Sequence, residues 1–341
     1  MNAIETDRLT KRFRRLGGYR DLLFYRLRPE EHLAVDELTF HVAQGELFGL
    51  LGENGAGKTT VIRMLATSLL PSSGTATVGG HDVVRESQRV RELVGLANGE
   101  ERSFYWRLTG RQNLEFFAAL YHLAPAFARG RIETLLDVFG IREEADGPFY
   151  SYSTGTRHKF SIARGLLTEP QVLFLDEPTR SLDPLAAAEV RRLLVDHVVG
   201  ELGHTVLLAT HSLSEAEAIC DRIGIIRAGR LVADGTIAEL RQRMTLPTTV
   251  DIRITGDAND VVMQLERAPG IHAAASTVDG SVSRLTLQIE RDPTILNRIL
   301  RLVVESGATV ETFEVREPAL QEIYERALSV NDEGGRRETF A

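Results

Sequence analysis

The sequence predicts an α/β protein with a mainly parallel sheet, followed by a smaller α+β domain. An apolar run at residues 47–51 leads into the glycine-rich segment 52–60, and a helical pattern at 61–66 leaves it. Two further apolar runs, at 172–175 and 206–210, have the length and composition of buried parallel strands. From about residue 248, alternating strands and short helices replace this pattern. The length of 341 residues also suits two domains.

The glycine-rich segment fits the phosphate-binding pattern G-x-x-x-x-G-K-[ST] and lies between a strand and a helix, as that pattern requires. Its glycines let successive backbone N–H groups converge on an anion, and the N-terminus of the following helix adds positive partial charge. Lys58 can reach the β- and γ-phosphates, and the Thr59 hydroxyl can ligate Mg²⁺. The alternative, a glycine-rich turn with a chance Lys-Thr, is disfavoured by the flanking strand and helix. The sequence therefore predicts that a nucleoside triphosphate is bound by Gly52, Asn54, Gly55, Ala56, Gly57, Lys58, Thr59 and Thr60.

Composition narrows the class of protein. The formal net charge of −8 argues against a nucleic-acid partner, since the phosphate backbone requires a basic surface. No apolar run approaches the roughly 20 residues that span a bilayer, and residues 1–10 lack the apolar segment of a signal peptide. Cys220 is the single cysteine, which excludes an internal disulfide and a multi-cysteine metal site. We therefore expect a protein of the cytosol.

Residues 4–12 and 33–51 have the pattern of the opening strands of a nucleotide-binding domain. An insert between them, Arg14–Glu31, places arginines among leucine, phenylalanine and tyrosine residues. It is either a solvated basic hairpin or helix, which charge runs favour, or an amphipathic helix that touches a membrane or a partner. Phe13, just before the insert, is a candidate to stack on an adenine ring, and a core position is the alternative.

A mainly helical stretch runs from Asn113 to Phe139, with apolar residues at helical spacing. Its aromatic entry, Ser103–Thr109, is rich in side chains that favour interfaces. Further along, Ser153 and Gly155 stand at the start of a helix, which offers backbone N–H groups to an anion. A plain helix N-cap is the alternative for this segment.

The run 172–175 leads directly into Asp176 and Glu177 and so delivers two carboxylates at the carboxyl edge of a parallel sheet. We expect Asp176 in the Mg²⁺ shell, and we expect Glu177 to polarise a water molecule against the γ-phosphate. Surface charge is the alternative, which a phosphate-binding loop in the same chain disfavours. His211 follows the strand 206–210 at the same edge, where it can contact the γ-phosphate.

Beyond residue 248 the order of elements is β-α-β-β-α-β, which predicts a ferredoxin-like split sandwich. A last helix is expected from Pro318 to Leu328, and the polar tail 331–341 is expected to be disordered. This second domain carries no cluster of histidine, cysteine or carboxylate residues. We therefore assign it no chemistry and expect a structural or dimer-stabilising role.

Over residues 4–242 these motifs resemble the nucleotide-binding subunit of an ATP-binding-cassette (ABC) transporter. The segment 52–60 is similar to the Walker A motif, 173–177 to Walker B, Ser181 and Asp183 to the D-loop, and His211 to the switch histidine. The resemblance implies a P-loop NTPase domain over 1–245, with a RecA-like core, an antiparallel β subdomain and an α-helical subdomain at about 100–168. The ferredoxin-like domain then covers 246–330. Its end, Glu317–Tyr324, resembles the extension on subunits of exporters whose membrane protein is a separate chain.

The chain departs from the family pattern at three places. The signature Leu-Ser-Gly-Gly-Gln is represented by Tyr152–Thr156, which keeps only Ser153 and Gly155. Where the family has a glutamine that contacts Mg²⁺, this chain offers either Asn98 or Glu100. Arg180 stands where a small or amide residue is common.

The resemblance implies ATP-driven closure of a homodimer, with each ATP between Lys58 and Thr59 of one copy and Ser153 and Gly155 of the other. Glu177 would be the base for hydrolysis, and His211 would steady the γ-phosphate. A separate membrane permease would respond to closure through residues 103–109, which places the subunit at the cytoplasmic face of the membrane. Two alternatives are a soluble ABC ATPase without a transport role and a regulatory subunit that hydrolyses ATP poorly.

Overall fold

The computed structural model describes residues 1–15, 30–98, 104–244, 246–255, 259–279, 282–290 and 292–335. The chain forms two units, Met1–Ile237 and Ala238–Ala341. The division falls earlier than the expected boundary at residue 245, because the helix Ile237–Arg243, apart from its first residue, belongs to the second unit. Nε of Arg241 on this helix donates a hydrogen bond to the Pro318 carbonyl at 2.7 Å, and its guanidinium pairs with Glu317.

The first unit contains the predicted parallel sheet, with strand order β10-β9-β3-β8-β7-β6. Only β10 runs antiparallel to its neighbour. Strands β3 and β8 are buried along their whole length, as expected for a sheet covered on both faces. The strands are β3 (Leu47–Leu51), β6 (Val94–Asn98), β7 (Val172–Asp176), β8 (Thr205–Thr210), β9 (Arg222–Arg227) and β10 (Arg230–Gly235). Three helices follow β3, β7 and β8: α1 (Lys58–Leu65), α6 (Pro184–Leu193), which continues as a π-helix over Leu194–Glu201, and α7 (Leu213–Ile219). A further helix, α2 (Ser87–Leu93), directly precedes β6.

An antiparallel sheet, in the order β2-β1-β4-β5, forms the predicted β subdomain. Its strands are β1 (Asn2–Arg15), β2 (Glu30–Ala43), β4 (Ser73–Val78) and β5 (His81–Asp82). Strands β1 and β2 pair from Asn2↔Ala43 to Arg15↔Glu30, so both ends of the insert Arg14–Glu31 continue the strands. Residues 16–29 lie outside the described part, and the expected basic hairpin or helix there stays a prediction.

The predicted helical subdomain contains α3 (Gly110–Leu120), α4 (Pro125–Val138) and α5 (Thr154–Gly165). Aromatic rings fill its core, where Phe104 stacks on Phe149 with centroids 4.4 Å apart and Tyr152 stacks on Phe160 at 5.2 Å. Tyr152, which stands where the family signature has a leucine, thus packs its ring in this core. The Tyr152 hydroxyl accepts a hydrogen bond from the Gly110 N–H at 3.0 Å and donates to the Glu144 carbonyl at 2.6 Å. The tyrosine therefore satisfies its polar atom while its ring is buried.

The second unit has the predicted β-α-β-β-α-β order, preceded by α8 (Ile237–Arg243), and its four strands are all antiparallel, in the order β12-β13-β11-β14. Its elements are β11 (Thr248–Thr255), α9 (Asn259–Glu266), β12 (Ile271–Asp279), β13 (Val282–Ile289), α10 (Pro293–Glu305) and β14 (Thr309–Arg316). The last helix, α11 (Leu320–Gly335), is longer than expected. The prediction of a disordered tail from residue 331 was wrong for 331–335, because no proline interrupts the helix there and each added residue contributes a further backbone hydrogen bond.

In the part of the chain that the structure describes, no helix combines the length and the apolar character needed to cross a bilayer.

Candidate functional site

The loop between β3 and α1 can be formed only by glycine at two positions. Gly57 has φ of 109°, and a Cβ there would lie 2.5 Å from the Ala34 carbonyl oxygen. At Gly52 a Cβ would lie 2.3 Å from the Ile226 carbonyl oxygen. The backbone therefore curls tightly before α1, and the N-terminus of α1 faces the space above the sheet edge.

Lys58 is the buried cation of this loop, with 5% of its surface exposed. Its ammonium group donates hydrogen bonds to the carbonyl oxygens of Gly52 at 2.7 Å and Glu53 at 2.9 Å. Burial lowers the pKa of Lys58, while the charges of Glu177 and Asp176 act in the opposite direction. An anion bound in the loop would favour the charged ammonium further.

The two predicted carboxylates lie at the end of β7, beside the loop. Burial raises the pKa of Asp176, and a hydrogen bond from Thr59 opposes this shift. Glu177 adopts a left-handed backbone conformation with φ of 52°, and its N–H donates to the Ala209 carbonyl at 2.9 Å. Such a conformation is strained for a residue with a Cβ, and strain of this kind is concentrated at functional sites.

His211 follows β8, the strand next to β7, and lies within reach of Glu177. Its Nδ1 is 2.9 Å from Oε1 of Glu177. The other carboxylate oxygen, Oε2, is buried and has no hydrogen-bond partner among the described residues. Glu177 therefore has one oxygen held by the imidazole, while the other can accept a hydrogen bond from a further donor.

The P-loop, Asp176 and Glu177 border one cavity of about 1120 Å³ in the first unit. The predicted site residues that line it are Phe13, Asn54, Gly55, Gly57, Lys58, Thr59, Thr60, Asn98, Asp176, Glu177 and Ser181. Gly52, Ala56, Ser153, Gly155, Asp183 and His211 are not part of its described lining. Glu100 lies outside the described residues.

Residues outside the predicted nucleotide-binding set also line the cavity: His32, Ala34, Arg63, Trp106, Thr154, His158 and Arg180. His32 lies directly opposite Phe13 in the β1–β2 pair, so the two rings share one face of that sheet. The sequence carried no signal for this pairing because the insert hides the strand register. Phe13 is partly exposed, and the Lys11 ammonium lies 5.3 Å from its ring centroid, so the ring is not a core aromatic. Its stacking on an adenine ring stays a prediction.

Oxygen donors that suit Mg²⁺ meet where β6 and β7 end. Asn98 pairs with Asp176 across these strands, and Oδ1 of Asn98 is buried with no hydrogen-bond partner within the described ranges. An orphaned buried oxygen costs about 1–3 kcal/mol, which a bound cation would offset. No group of three His, Cys, Asp or Glu side chains forms a metal cluster in the described part. Magnesium commonly binds through few protein oxygens together with substrate phosphates and waters, so Thr59, Asp176 and Asn98 fit it.

The segment that resembles the signature begins α5. The Ser153 hydroxyl caps this helix by accepting a hydrogen bond from the Thr156 N–H at 3.1 Å. His158, buried one turn later, lies with Nδ1 2.5 Å from the Pro178 carbonyl oxygen, directly after Glu177. Helix α5 therefore contacts the turn that directly follows Glu177.

The D-loop residues have distinct structural positions. Ser181 lines the cavity and has φ of 63°, a second strained position close to Glu177. Asp183 is the N-cap of α6, since its Oδ1 accepts hydrogen bonds from the N–H groups of Leu185 at 3.0 Å and Ala186 at 2.9 Å. Asp183 thus fixes the start of the helix that follows the loop.

A P-loop, a strand ending in two carboxylates and a histidine on the neighbouring strand define an ATP-hydrolysing cassette on this fold. Residues 35–180 match the family model described as "ABC transporter", and residues 235–327 match that of the "ATP-binding protein DrrA1-3-like, C-terminal domain". The chain belongs to the ATP-binding-cassette transporter family and is an ATP-binding, ATP-hydrolysing subunit.

Named relatives match both units. The daunorubicin resistance ATP-binding protein DrrA3 of Streptomyces coeruleorubidus is 40% identical over 298 residues, 85% of this chain and 90% of that protein. The daunorubicin/doxorubicin resistance ATP-binding protein DrrA of Streptomyces peucetius is 37% identical over 304 residues, 85% of this chain and 86% of that protein. Among solved structures, cbiO1 from Clostridium perfringens, part of the ABC transporter complex cbiONQ, matches with a TM-score of 0.59 and 26% identity over 72% of this chain and 94% of that one.

Proposed function

We propose that two copies of this subunit close around two ATP molecules and drive export through a separate membrane permease. The observation that carries the proposal is the cavity at the carboxyl edge of the parallel sheet, where Lys58, Thr59, Asp176 and Glu177 meet. The second copy is proposed from the family resemblance, and it is supported by the absence of Ser153 and Gly155 from the described lining of this cavity, although Thr154 between them does line it. Ser153 is exposed at the N-terminus of α5, where it can meet the triphosphate of another copy.

Hydrolysis in this arrangement is a direct displacement at the γ-phosphorus. A water oxygen forms a bond to phosphorus, the bond from phosphorus to the bridging oxygen breaks, and the water proton passes to Glu177. His211 holds Oε1 of Glu177, so Oε2, which has no hydrogen bond within the described residues, is the oxygen left to accept that proton. Bound Mg²⁺ would neutralise charge on the phosphates, and Lys58 does so from the loop.

We assign Asn98, rather than Glu100, the place of the family glutamine. Asn98→Leu keeps the branching and the number of heavy atoms of the side chain but removes the orphaned oxygen. We expect the variant to be more stable by about 1 kcal/mol, because a buried unpaired polar atom is lost. We also expect the Mg²⁺-dependent gain in ATP affinity to fall by roughly tenfold, the scale of one hydrogen bond to a charged group.

Calorimetric titration of ATP with and without Mg²⁺, together with thermal unfolding, measures both effects of Asn98→Leu. The loss should be confined to the Mg²⁺-containing titration. Asn297→Leu, on α10 of the second unit, is the matched control. An Asn98→Leu protein that keeps its full Mg²⁺ effect would leave the assignment without support.

The permease contact is proposed for an exposed aromatic face made by Tyr105, Trp106, Phe116 and Tyr150. Tyr105 and Phe116 meet edge to face at 4.7 Å, and the Tyr150 N–H donates to the Trp106 carbonyl at 3.1 Å. Trp106 also lines the nucleotide cavity, and Arg157 of α5 lies 4.7 Å from its ring. One surface therefore connects the cavity, the signature helix and an aromatic area of the kind found at protein interfaces.

The double variant Tyr105→Ala/Phe116→Ala tests this surface, since neither residue lines the cavity. We expect its affinity for the permease to fall by roughly 30-fold, because truncating central aromatic residues of an interface costs about 2 kcal/mol or more. The ATPase rate of the isolated subunit should not change. Stimulation of that rate by the co-purified membrane protein is the measurement, and Phe127→Ala, an exposed aromatic of α4, is the control. Unaltered stimulation would place the contact elsewhere.

The direction of transport is proposed from the second unit and from the relatives. This unit matches the C-terminal domain of DrrA-like proteins, and the relatives carry the names of daunorubicin and doxorubicin resistance proteins. Removal of a toxic compound from the cell requires export. The subunit would then act at the cytoplasmic face of the membrane, attached through its permease.

A further inference from the structure

Arg180 is a cation placed directly beside the proposed catalytic carboxylate. The turn after β7 brings the two residues together, since the Arg180 N–H donates to the Glu177 carbonyl at 3.1 Å. An Nη1 atom of Arg180 lies 3.4 Å from Oε2 of Glu177. This is the same oxygen that lacks a hydrogen bond within the described residues.

The contact between Arg180 and Glu177 is loose. The arginine side chain is 66% exposed while that of the glutamate is 13% exposed, so the guanidinium reaches a buried oxygen from the solvent side. The separation of 3.4 Å comes with no hydrogen bond to Oε2. A long contact made by a largely exposed guanidinium without a hydrogen bond holds the cation weakly, so Arg180 can exchange one anion for another.

Arg180 also lines the cavity that contains Lys58 and Thr59. A triphosphate in that cavity carries several negative charges, whereas Glu177 carries one. The planar guanidinium offers paired N–H donors that match phosphate oxygens, which makes arginine better suited than lysine to such a contact. The incoming triphosphate therefore competes with Glu177 for the same cation.

We propose that Arg180 senses the terminal phosphate: it pairs with Glu177 in the nucleotide-free subunit and moves to the γ-phosphate when ATP binds, which leaves Oε2 of Glu177 open to the attacking water. The inference rests on the proposed position of the triphosphate at Lys58. It gives the unusual arginine of this D-loop a role in distinguishing ATP from ADP. It also keeps the carboxylate engaged until its substrate is present.

The test compares two nucleotides by calorimetry on the full chain with Mg²⁺. We expect Arg180→Gln to weaken binding of a non-hydrolysable ATP analogue by about tenfold, the usual contribution of a hydrogen bond to a charged group. Binding of ADP, which has no γ-phosphate, should change by less than about twofold on the same scale. Arg180→Lys keeps the charge without the paired donors and should restore the discrimination in part.

The matched control is Arg89→Gln. Arg89 pairs with Glu92 three residues later at 3.3 Å, in an exposed contact that does not line the cavity. This variant should leave both affinities unchanged. Equal losses for the two nucleotides in Arg180→Gln, or no loss for either, would overturn the inference, because a merely structural arginine has no reason to distinguish them.

A double-mutant cycle with Glu177→Gln measures the exchange itself. Glu177→Gln removes the charge that holds Arg180 in the nucleotide-free subunit. It should tighten binding of the ATP analogue by a few-fold when Arg180 is present and have no such effect in Arg180→Gln. Independent changes in the two variants would contradict the exchange.

Lys58→Ala separates this inference from the proposed site: if that variant keeps nucleotide affinity, the triphosphate lies elsewhere and the proposed site fails first. If Lys58→Ala loses affinity and Arg180→Gln shows no discrimination, only the Arg180 inference fails.

Discussion

Glu177→Gln is expected to lower the ATP turnover rate by about 10²- to 10⁴-fold, the usual contribution of a general base, while ATP binding persists. The substitution keeps the shape of the side chain and removes the charge that accepts the proton. Because Glu177 already lies against His211, and its other oxygen has no hydrogen bond within the described ranges, the amide can occupy the same space without rearranging the loop. The measurement is phosphate release under saturating ATP.

The same variant reports on the dimer. With hydrolysis blocked, the triphosphate should stay between Lys58 of one copy and Ser153 of the other, so ATP should convert the variant from monomer to dimer on size-exclusion chromatography with light scattering. A ligand can shift closure only by its differential affinity for the open and closed states, so ADP should not produce the dimer. Glu92→Gln, from the exposed pair with Arg89, is the control and should hydrolyse ATP normally. A Glu177→Gln protein that stays monomeric with ATP, alone and with its permease, would contradict the two-copy site.

The local chemistry of the chain was predictable where a motif is continuous in sequence. The phosphate-binding loop, the carboxylates after β7 and the histidine after β8 each follow an apolar strand, and the sheet order places β7 and β8 side by side. Parallel strands deliver their carboxyl ends to one edge, so the convergence of Lys58, Asp176 and Glu177 follows from that topology. The α/β class and the ferredoxin-like second unit were also predictable, because the periodicity of apolar residues indicates the order of strands and helices.

Contacts that join distant segments were not predictable. His32 faces Phe13 only because β1 and β2 continue as far as Arg15 and Glu30, and no local pattern reveals that register. His158 meets the Pro178 carbonyl through packing of α5 against the turn after β7. The pairing of Arg180 with Glu177 required the left-handed backbone at Glu177, a conformation that the residue types themselves disfavour. The assignment of helix Ile237–Arg243 to the second unit likewise depended on a distant partner, the Pro318 carbonyl.

Lys58→Ala is expected to remove ATP binding almost completely. The ammonium is the buried positive charge of the loop, and its loss removes both the attraction for the β- and γ-phosphates and the hydrogen bonds to the Gly52 and Glu53 carbonyls. Each hydrogen bond from the ammonium to a phosphate oxygen contributes about 1.5–3 kcal/mol, so losing two such bonds corresponds to an affinity loss of roughly 100-fold or greater. Calorimetry or a fluorescent ATP analogue measures the change in dissociation constant.

Lys159→Ala is the matched control for Lys58→Ala. Lys159 is also largely buried, and it forms an ion pair in which its ammonium lies 2.8 Å from Oε1 of Glu189. It does not line the cavity. Its removal should lower thermal stability and leave the affinity for ATP unchanged. Both variants delete one buried ammonium, so a loss of ATP affinity caused only by altered packing would appear in both. A loss confined to Lys58→Ala indicates direct contact between Lys58 and phosphate. Equal ATP affinities in the two variants would show that the loop around Lys58 does not hold the triphosphate.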